Sequence, residues 1–268
     1  MRIARYAVDD QIRYGTVELA ADVTLANAAS PFPDGVADLT GDPMAGPVKW
    51  TGRRHPLDEV RLLAPVLPRS KVIVVTGNYV DDEATAGDLA PEVFLKPNTS
   101  VIGPDEPIVV PGASQDTVLE GHLAVVIGRI CRHVPEARAP EAIFGYAVAG
   151  DVTAWDCQTS GPALAKSFDS FTPLGPWIIT HLSPAEAGRL ALTTRLDEKV
   201  IQEGTTRRLH WSIARQVAHL SDVMTLLPGD LILTGTPAGG RRLAAGQVTS
   251  VEIGQIGRLT NPVWAEEA

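Results

Sequence analysis

Glu120, Gly121 and His122 stand inside the apolar, β-branched stretch VLEGHLAVVIG of residues 118–128. Side chains alternate faces along a strand, so the carboxylate and the imidazole point the same way. Together they supply half of a divalent metal site. The plainer reading of the triplet is a polar pair facing water on an edge strand. A third ligand candidate is Asp151, in YAVAGDVT, where an acid after an apolar run and a glycine suits the mouth of a cavity. The turn LTGTPAG of residues 233–239 ends an apolar strand, and Gly235 there lets backbone amides approach a ligand closely.

These residues need strands to carry them, and the pattern provides many. Residues 2–8 and 13–19 read as a hairpin around Asp9-Asp10, and residues 31–47, rich in Pro, Gly and Asp, read as a loop. PVLPRS at 65–70 reads as a linker, which divides the chain into a small N-terminal β domain, 1–68, and a larger domain, 69–268. Further strands are expected at 72–75, 123–127, 177–180, 190–196, 231–234 and 249–253. Helical spacing is confined to 140–144, opened by a proline, and 212–220, with Ser212 as N-cap. Many strands and few helices indicate a mainly β fold, closed or rolled rather than doubly wound.

The 268 residues suffice for one large domain or a small and a larger one, and 44% hydrophobic with 21% charged residues is a globular balance. A net charge of −9 with no basic run argues against a nucleic-acid partner. An anionic substrate then needs a local positive site. Two cysteines, Cys131 and Cys157, make no disulfide framework and fit a cytoplasmic location. The N-terminus lacks an apolar signal core, and no stretch approaches a membrane span, so no membrane partner is expected.

The order of motifs resembles the fumarylacetoacetate hydrolase family across nearly the whole chain: YGTVE, LLAPVLPRSKVIVVTGNY, VFLKPNTSVIGP, LEGHLAVVIGR, GYAVAGDVTAWDCQ, AKSFDSFTPLGPWI, PGDLILTGTPAGG and IGQIGRLTNP. The resemblance implies a mixed β-sandwich roll, assembled as a homodimer. It implies one divalent cation, Mg²⁺ or Mn²⁺, held by residues matching Glu120, His122 and Asp151 and chelating a 1,3-dicarbonyl or 2-oxoacid. It places a lysine, Lys166, beside the metal, and Tyr79, Lys96, Gln158 and Thr236 on the substrate. A cation on the carbonyl oxygen stabilises the enolate left when the adjoining carbon–carbon bond breaks.

Three departures from the family pattern bear on function. His122 stands where the family has glutamate; imidazole suits Mn²⁺, Fe²⁺ or Zn²⁺ better than Mg²⁺. Asp82 and Thr85 stand where the family has the His–Glu pair that activates water, leaving Asp82 and Glu83 as candidate bases or as solvated acids at a helix start. Trp155 stands where the family commonly has arginine, either as an apolar wall of the site or as subunit packing. Three readings follow. The first is a metal-dependent hydrolase or decarboxylase of a β-keto acid. The second is a metal-independent isomerase, dehydratase or cyclase with His122 as acid or base. The third is a non-catalytic binding protein of the same fold.

Overall fold

Asp9 and Asp10 both adopt positive φ, 50° and 57°. A two-residue type I′ turn requires that backbone, and it joins β1 (Arg2–Val8) to β2 (Gln11–Glu18) as the expected hairpin. The structure, a computed structural model, describes residues 1–20, 34–80 and 92–267. Next come β3 (Gly35–Leu39), β4 (Trp50–Pro56), β5 (Arg61–Leu63), β6 (Val72–Thr76), β7 (Glu92–Lys96), β8 (Val101–Ile102) and β9 (Ile108–Val110). The two longest strands are β10 (Thr117–Ile127) and β11 (Ile143–Ala154). After them run β12 (Thr172–Ile179), β13 (Ala191–Leu196), β14 (Lys199–Thr205), β15 (Leu231–Leu233), β16 (Arg241–Arg242), β17 (Val248–Ile253) and β18 (Gly257–Ala265). The helices are α1 (Pro162–Ala165), α2 (Pro184–Ala187) and α3 (Ile213–Val223).

A 13-stranded sheet runs β4-β3-β2-β1-β12-β11-β10-β15-β6-β7, with β16, β5 and β8 attached to β10, β1 and β12. A 5-stranded sheet, β14-β13-β17-β18-β9, lies against it. The N-terminal strands continue the large sheet, because β1 pairs with β12. Alternation along β10 and β11 explains the packing. Leu119, Leu123, Val125, Tyr146, Val148 and Val152 enter one core, which also holds Leu192, Val251 and Leu259 of the small sheet. Ala124, Val126, Ala147 and Ala149 enter a second core on the opposite face. Such two-faced burial is why these strands read as nearly continuous apolar runs.

Three local expectations are corrected. The segment 140–144 is helical only in part: a 3-10 helix, Glu136–Ala142, contains Pro140, and Ile143 already pairs with Ile127 in the sheet. A proline without an N–H and the β-branched Ile143 favour that switch. The loop expected at 31–47 contains β3, whose Val36 and Ala37 are buried. The strand expected from Leu123 begins at Thr117, so Glu120 and His122 are mid-strand. The capped helix was read correctly: the Ser212 side chain accepts the Arg215 N–H.

Gly121 faces the small sheet. A methyl group there would collide with Thr194 Oγ1 and stand 2.9 Å from Val251 Cγ1. Gly121→Ala is therefore expected to destabilise the protein by about 1–3 kcal/mol through overpacking. Urea melting tests this, and an unchanged midpoint contradicts it.

Candidate active site

The pairing of β10 with β11 sets Glu120 opposite Asp151 and His122 opposite Ala149. All three functional side chains therefore share the face of the large sheet turned away from the small one. On its other edge β10 pairs with β16 at Val118–Leu119 and with β15 at Ala124–Val126, leaving a gap between them. Non-strand groups fill it. Gln202 Oε1 accepts the Gly121 N–H at 2.8 Å, Leu123 O accepts the Thr234 N–H at 3.0 Å, and Gly235 N–H points at His122 Nδ1 at 3.3 Å. Gly235 has φ 124°, a backbone suited to glycine.

Asp151 is fully buried, not at a cavity mouth as its place after Gly150 indicated. Its Oδ1 accepts from Lys96 Nζ and its Oδ2 from Lys166 Nζ, each at 2.5 Å. Burial alone would raise the Asp151 carboxyl, but the Lys96 and Lys166 ammonium groups override it and hold the group well below its ordinary range. Lys96 also donates to Val152 O and Phe171 O, so its three N–H groups are all satisfied. Burial pushes Lys96 down to about 8 despite the nearby Asp151, which still leaves it charged at neutral pH. Lys166 donates to Thr153 Oγ1 at 2.7 Å, which leaves one N–H free of these two partners.

Above this layer lies a cavity of about 470 Å³ lined by Tyr79, Phe94, Glu120, Trp155, Gln158, Lys166 and Thr236, among others. Five of the site residues expected from the sequence thus meet there: Tyr79, Glu120, Gln158, Lys166 and Thr236. Trp155 is on the cavity wall and 44% exposed. Lys96, His122, Asp151 and Gly235 do not line it. The first three are buried, and Gly235 serves His122 through its amide. Asp82 and Glu83 lie outside the described residues. Tyr79 Oη is buried without a partner among the described residues, and burial raises its phenol above the ordinary value. It is a hydrogen-bond donor rather than a base.

Two positioning residues escaped the sequence reading. Asn78 accepts the Trp211 N–H at 2.8 Å and donates to Thr234 O at 2.9 Å, tying the Tyr79 segment to the turn before Gly235. Gln202 bonds Thr236 Oγ1 and Pro237 O as well as Gly121. The turn motif TGNY was a signal for Asn78. Gln202, distant in sequence, left none.

The donors suit a divalent cation in chemistry and facing. A carboxylate, an imidazole and a second carboxylate lie on one sheet face. His122 Nε2 is buried with no partner among the described residues, an orphan that a cation would satisfy. Burial, opposed by Asp151 and reinforced by Lys166 and Lys96, lowers the imidazole to about 3, so it is neutral, the form that ligates. Burial and the facing Asp151 raise the Glu120 carboxyl. As they stand, no three His, Cys, Asp or Glu side chains among the described residues form a closed ligand set. Loading an ion on Nε2 would require Lys166 or Lys96 to release an Asp151 oxygen and the imidazole proton to stand on Nδ1, displacing the Gly235 amide.

Asp151→Asn keeps the shape of the side chain but leaves two enclosed ammonium groups without their counter-charge. The expected loss is about 3–5 kcal/mol of stability at neutral pH. Because the folded carboxyl is held low, its contribution is complete at neutral pH and is lost as pH falls toward that folded value. The wild-type advantage in urea melts should hold from about pH 7 to about pH 5 and shrink from there down to about pH 3. A constant difference across that range contradicts the arrangement.

Comparison with known proteins matches this geometry to a family. The profile described as fumarylacetoacetate (FAA) hydrolase C-terminal matches residues 71–264, and one described as Rv2993c-like, N-terminal matches residues 1–65. Protein Rv2993c of Mycobacterium tuberculosis is 42% identical over 268 residues, covering 98% of each chain. The crystal structure of 5-carboxymethyl-2-hydroxymuconate delta-isomerase from Mycobacterium smegmatis is 41% identical, with TM-score 0.88 and coverage of 99% of this chain and 100% of that one. Maleylpyruvate hydrolase from Sphingobium sp. SYK-6, solved with manganese(II) and pyruvate, is 28% identical, with TM-score 0.77 and full coverage of both chains. The chain belongs to the fumarylacetoacetate hydrolase family, an enzyme family whose fold its described residues carry.

Proposed function

We propose that the protein is a divalent-cation-dependent enzyme that brings a 1,3-dicarbonyl or β-keto acid to its enolate and breaks the adjoining carbon–carbon bond. The observation that carries this reading is one cavity in which Tyr79, Glu120, Gln158, Lys166 and Thr236 converge above buried His122 and Asp151. Glu120, His122 and Asp151 would hold the ion, with Mn²⁺ or Fe²⁺ preferred over Mg²⁺ because one donor is imidazole. When bound, such an ion supplies a positive centre that stabilises charge on a carbonyl oxygen. The manganese in the Sphingobium relative supports this assignment.

The chain's own residues do the rest. Lys166 is held by Asp151 and Thr153, so its ammonium is fixed in place before substrate arrives. A fixed charge costs no reorganisation when negative charge develops beside it. Tyr79 Oη and the Gln158 amide offer hydrogen bonds to the substrate. Phe94, Trp155, Pro162 and Pro237 line the same cavity and restrict water. Decarboxylation is favoured over hydrolysis, because Asp82 and Thr85 stand where the family resemblance implies a water-activating His–Glu pair. His122 as acid or base, the metal-independent reading, is the second reading: the isomerases among the structural relatives favour it, and the buried place of the imidazole outside the cavity lining weighs against direct contact with substrate. A homodimer belongs to the same proposal.

The test is turnover of 2,4-dioxo acids and β-keto acids before and after chelation. Activity should vanish on stripping and return with Mn²⁺, and Lys166→Met should lower kcat by roughly 10²–10³. Full activity in stripped protein contradicts the reading.

A further inference from the structure

The charges around the cavity restrict what its substrate can carry. Its lining contains two carboxylates, Glu92 and Glu120, and one cation, Lys166. That ammonium is already committed to Asp151 and Thr153, and it stands 5.7 Å from the centroid of the Phe94 ring, so Lys166 and Phe94 mark one end of the cavity, which the proposed function makes the reacting end. No arginine or histidine lines the cavity among the described residues. A second carboxylate on the substrate would therefore enter without a counter-charge and against Glu92 and Glu120, which burial without a partner makes unfavourable.

Apolar surface is available instead. Trp155 begins the 3-10 segment Trp155–Ser160, and its amide is fixed to Asp116 O at 2.9 Å, so the indole is presented from an anchored backbone. It is 44% exposed and shares the lining with Phe94, Pro162 and Pro237. A large exposed aromatic at the wall of a concave site gains by being covered with apolar ligand.

We propose that the cavity accepts a keto acid with a single carboxylate, at its reacting end beside Lys166 and Phe94, and an alkyl or aryl tail that lies against Trp155. This deepens the reading of the cavity as a carbonyl-acid site and rests on it. It makes Trp155 a specificity-determining residue, and replacement by arginine should invite a tail carboxylate.

The experiment uses full-length protein with Mn²⁺ and two unreactive 2-oxoacid mimics, N-hexyl oxamate and N-(5-carboxypentyl) oxamate, titrated by calorimetry. Turnover of matching 2,4-dioxo acids and β-keto acids is measured in parallel. The expected result is binding of the hexyl compound at least about tenfold tighter, a difference that buried apolar length readily supplies. Trp155→Arg should shrink or reverse that ratio by about tenfold, and Trp155→Phe should preserve it. Circular dichroism checks that both variants fold. Equal binding of the two mimics, or a ratio unmoved by Trp155→Arg, overturns the proposal. Selective binding without turnover of any 2,4-dioxo acid or β-keto acid leaves the specificity standing and removes the catalytic reading. Turnover without selectivity does the reverse, and no binding of either mimic overturns both.

Discussion

The carboxylate of Asp151, enclosed between the ammonium groups of Lys96 and Lys166, is the interaction on which the site depends. It joins β11 to the end of β7 and to the residue after α1. Through Lys96 it also reaches Phe171 O, beside β12. Two segments that line the cavity, β7 and the turn of α1, are thus fixed to β11 by a single buried charge. Ion pairs in such places are costly to assemble from water and more costly to leave half-made. Here every N–H of Lys96 and both oxygens of Asp151 are used, which is the condition under which a buried polar cluster holds one geometry.

The second constraint is the division of β10 between two faces. Gly121 is pressed against Thr194 and Val251 of the small sheet, so the triplet Glu-Gly-His has a structural centre and functional flanks. The gap in the ladder beside Gly121 admits Gln202 and the turn carrying Gly235 and Thr236. A continuous sheet would leave no room there. The chemistry is therefore located where the strand pairing is interrupted, with hydrogen bonds from side chain and turn replacing those of a missing strand.

Much of this was legible in the sequence. Period-two alternation put Glu120 and His122 on one face, and motif order brought Tyr79, Gln158, Lys166 and Thr236 into one site, where five expected residues line one cavity. What the sequence withheld was depth. Nothing in GYAVAGDVT distinguishes an acid at a cavity mouth from one sealed beneath it; that depends on two lysines 55 and 15 residues away folding over it. Lys96 looked like a substrate ligand and is instead occupied by protein. Gln202 acts across 81 residues, a separation over which a local pattern carries no information. Trp155 was open between wall and interface until the cavity was formed around it.

His122 brings a neutral imidazole to a position where the family resemblance implies a carboxylate, which leaves the site one negative charge fewer. With a neutral imidazole, Glu120 and Asp151 balance Lys96 and Lys166, so an ion arriving here brings charge that an anionic substrate must answer. Cation and substrate binding should therefore reinforce each other. The most direct measurement is anomalous diffraction from crystals grown with Mn²⁺ and oxalate. The account predicts one Mn²⁺ peak per chain, ligated by Glu120, His122 Nε2 and Asp151, with an ammonium withdrawn from the Asp151 carboxylate. A peak elsewhere, or none while Lys96 and Lys166 both remain on Asp151, would contradict it.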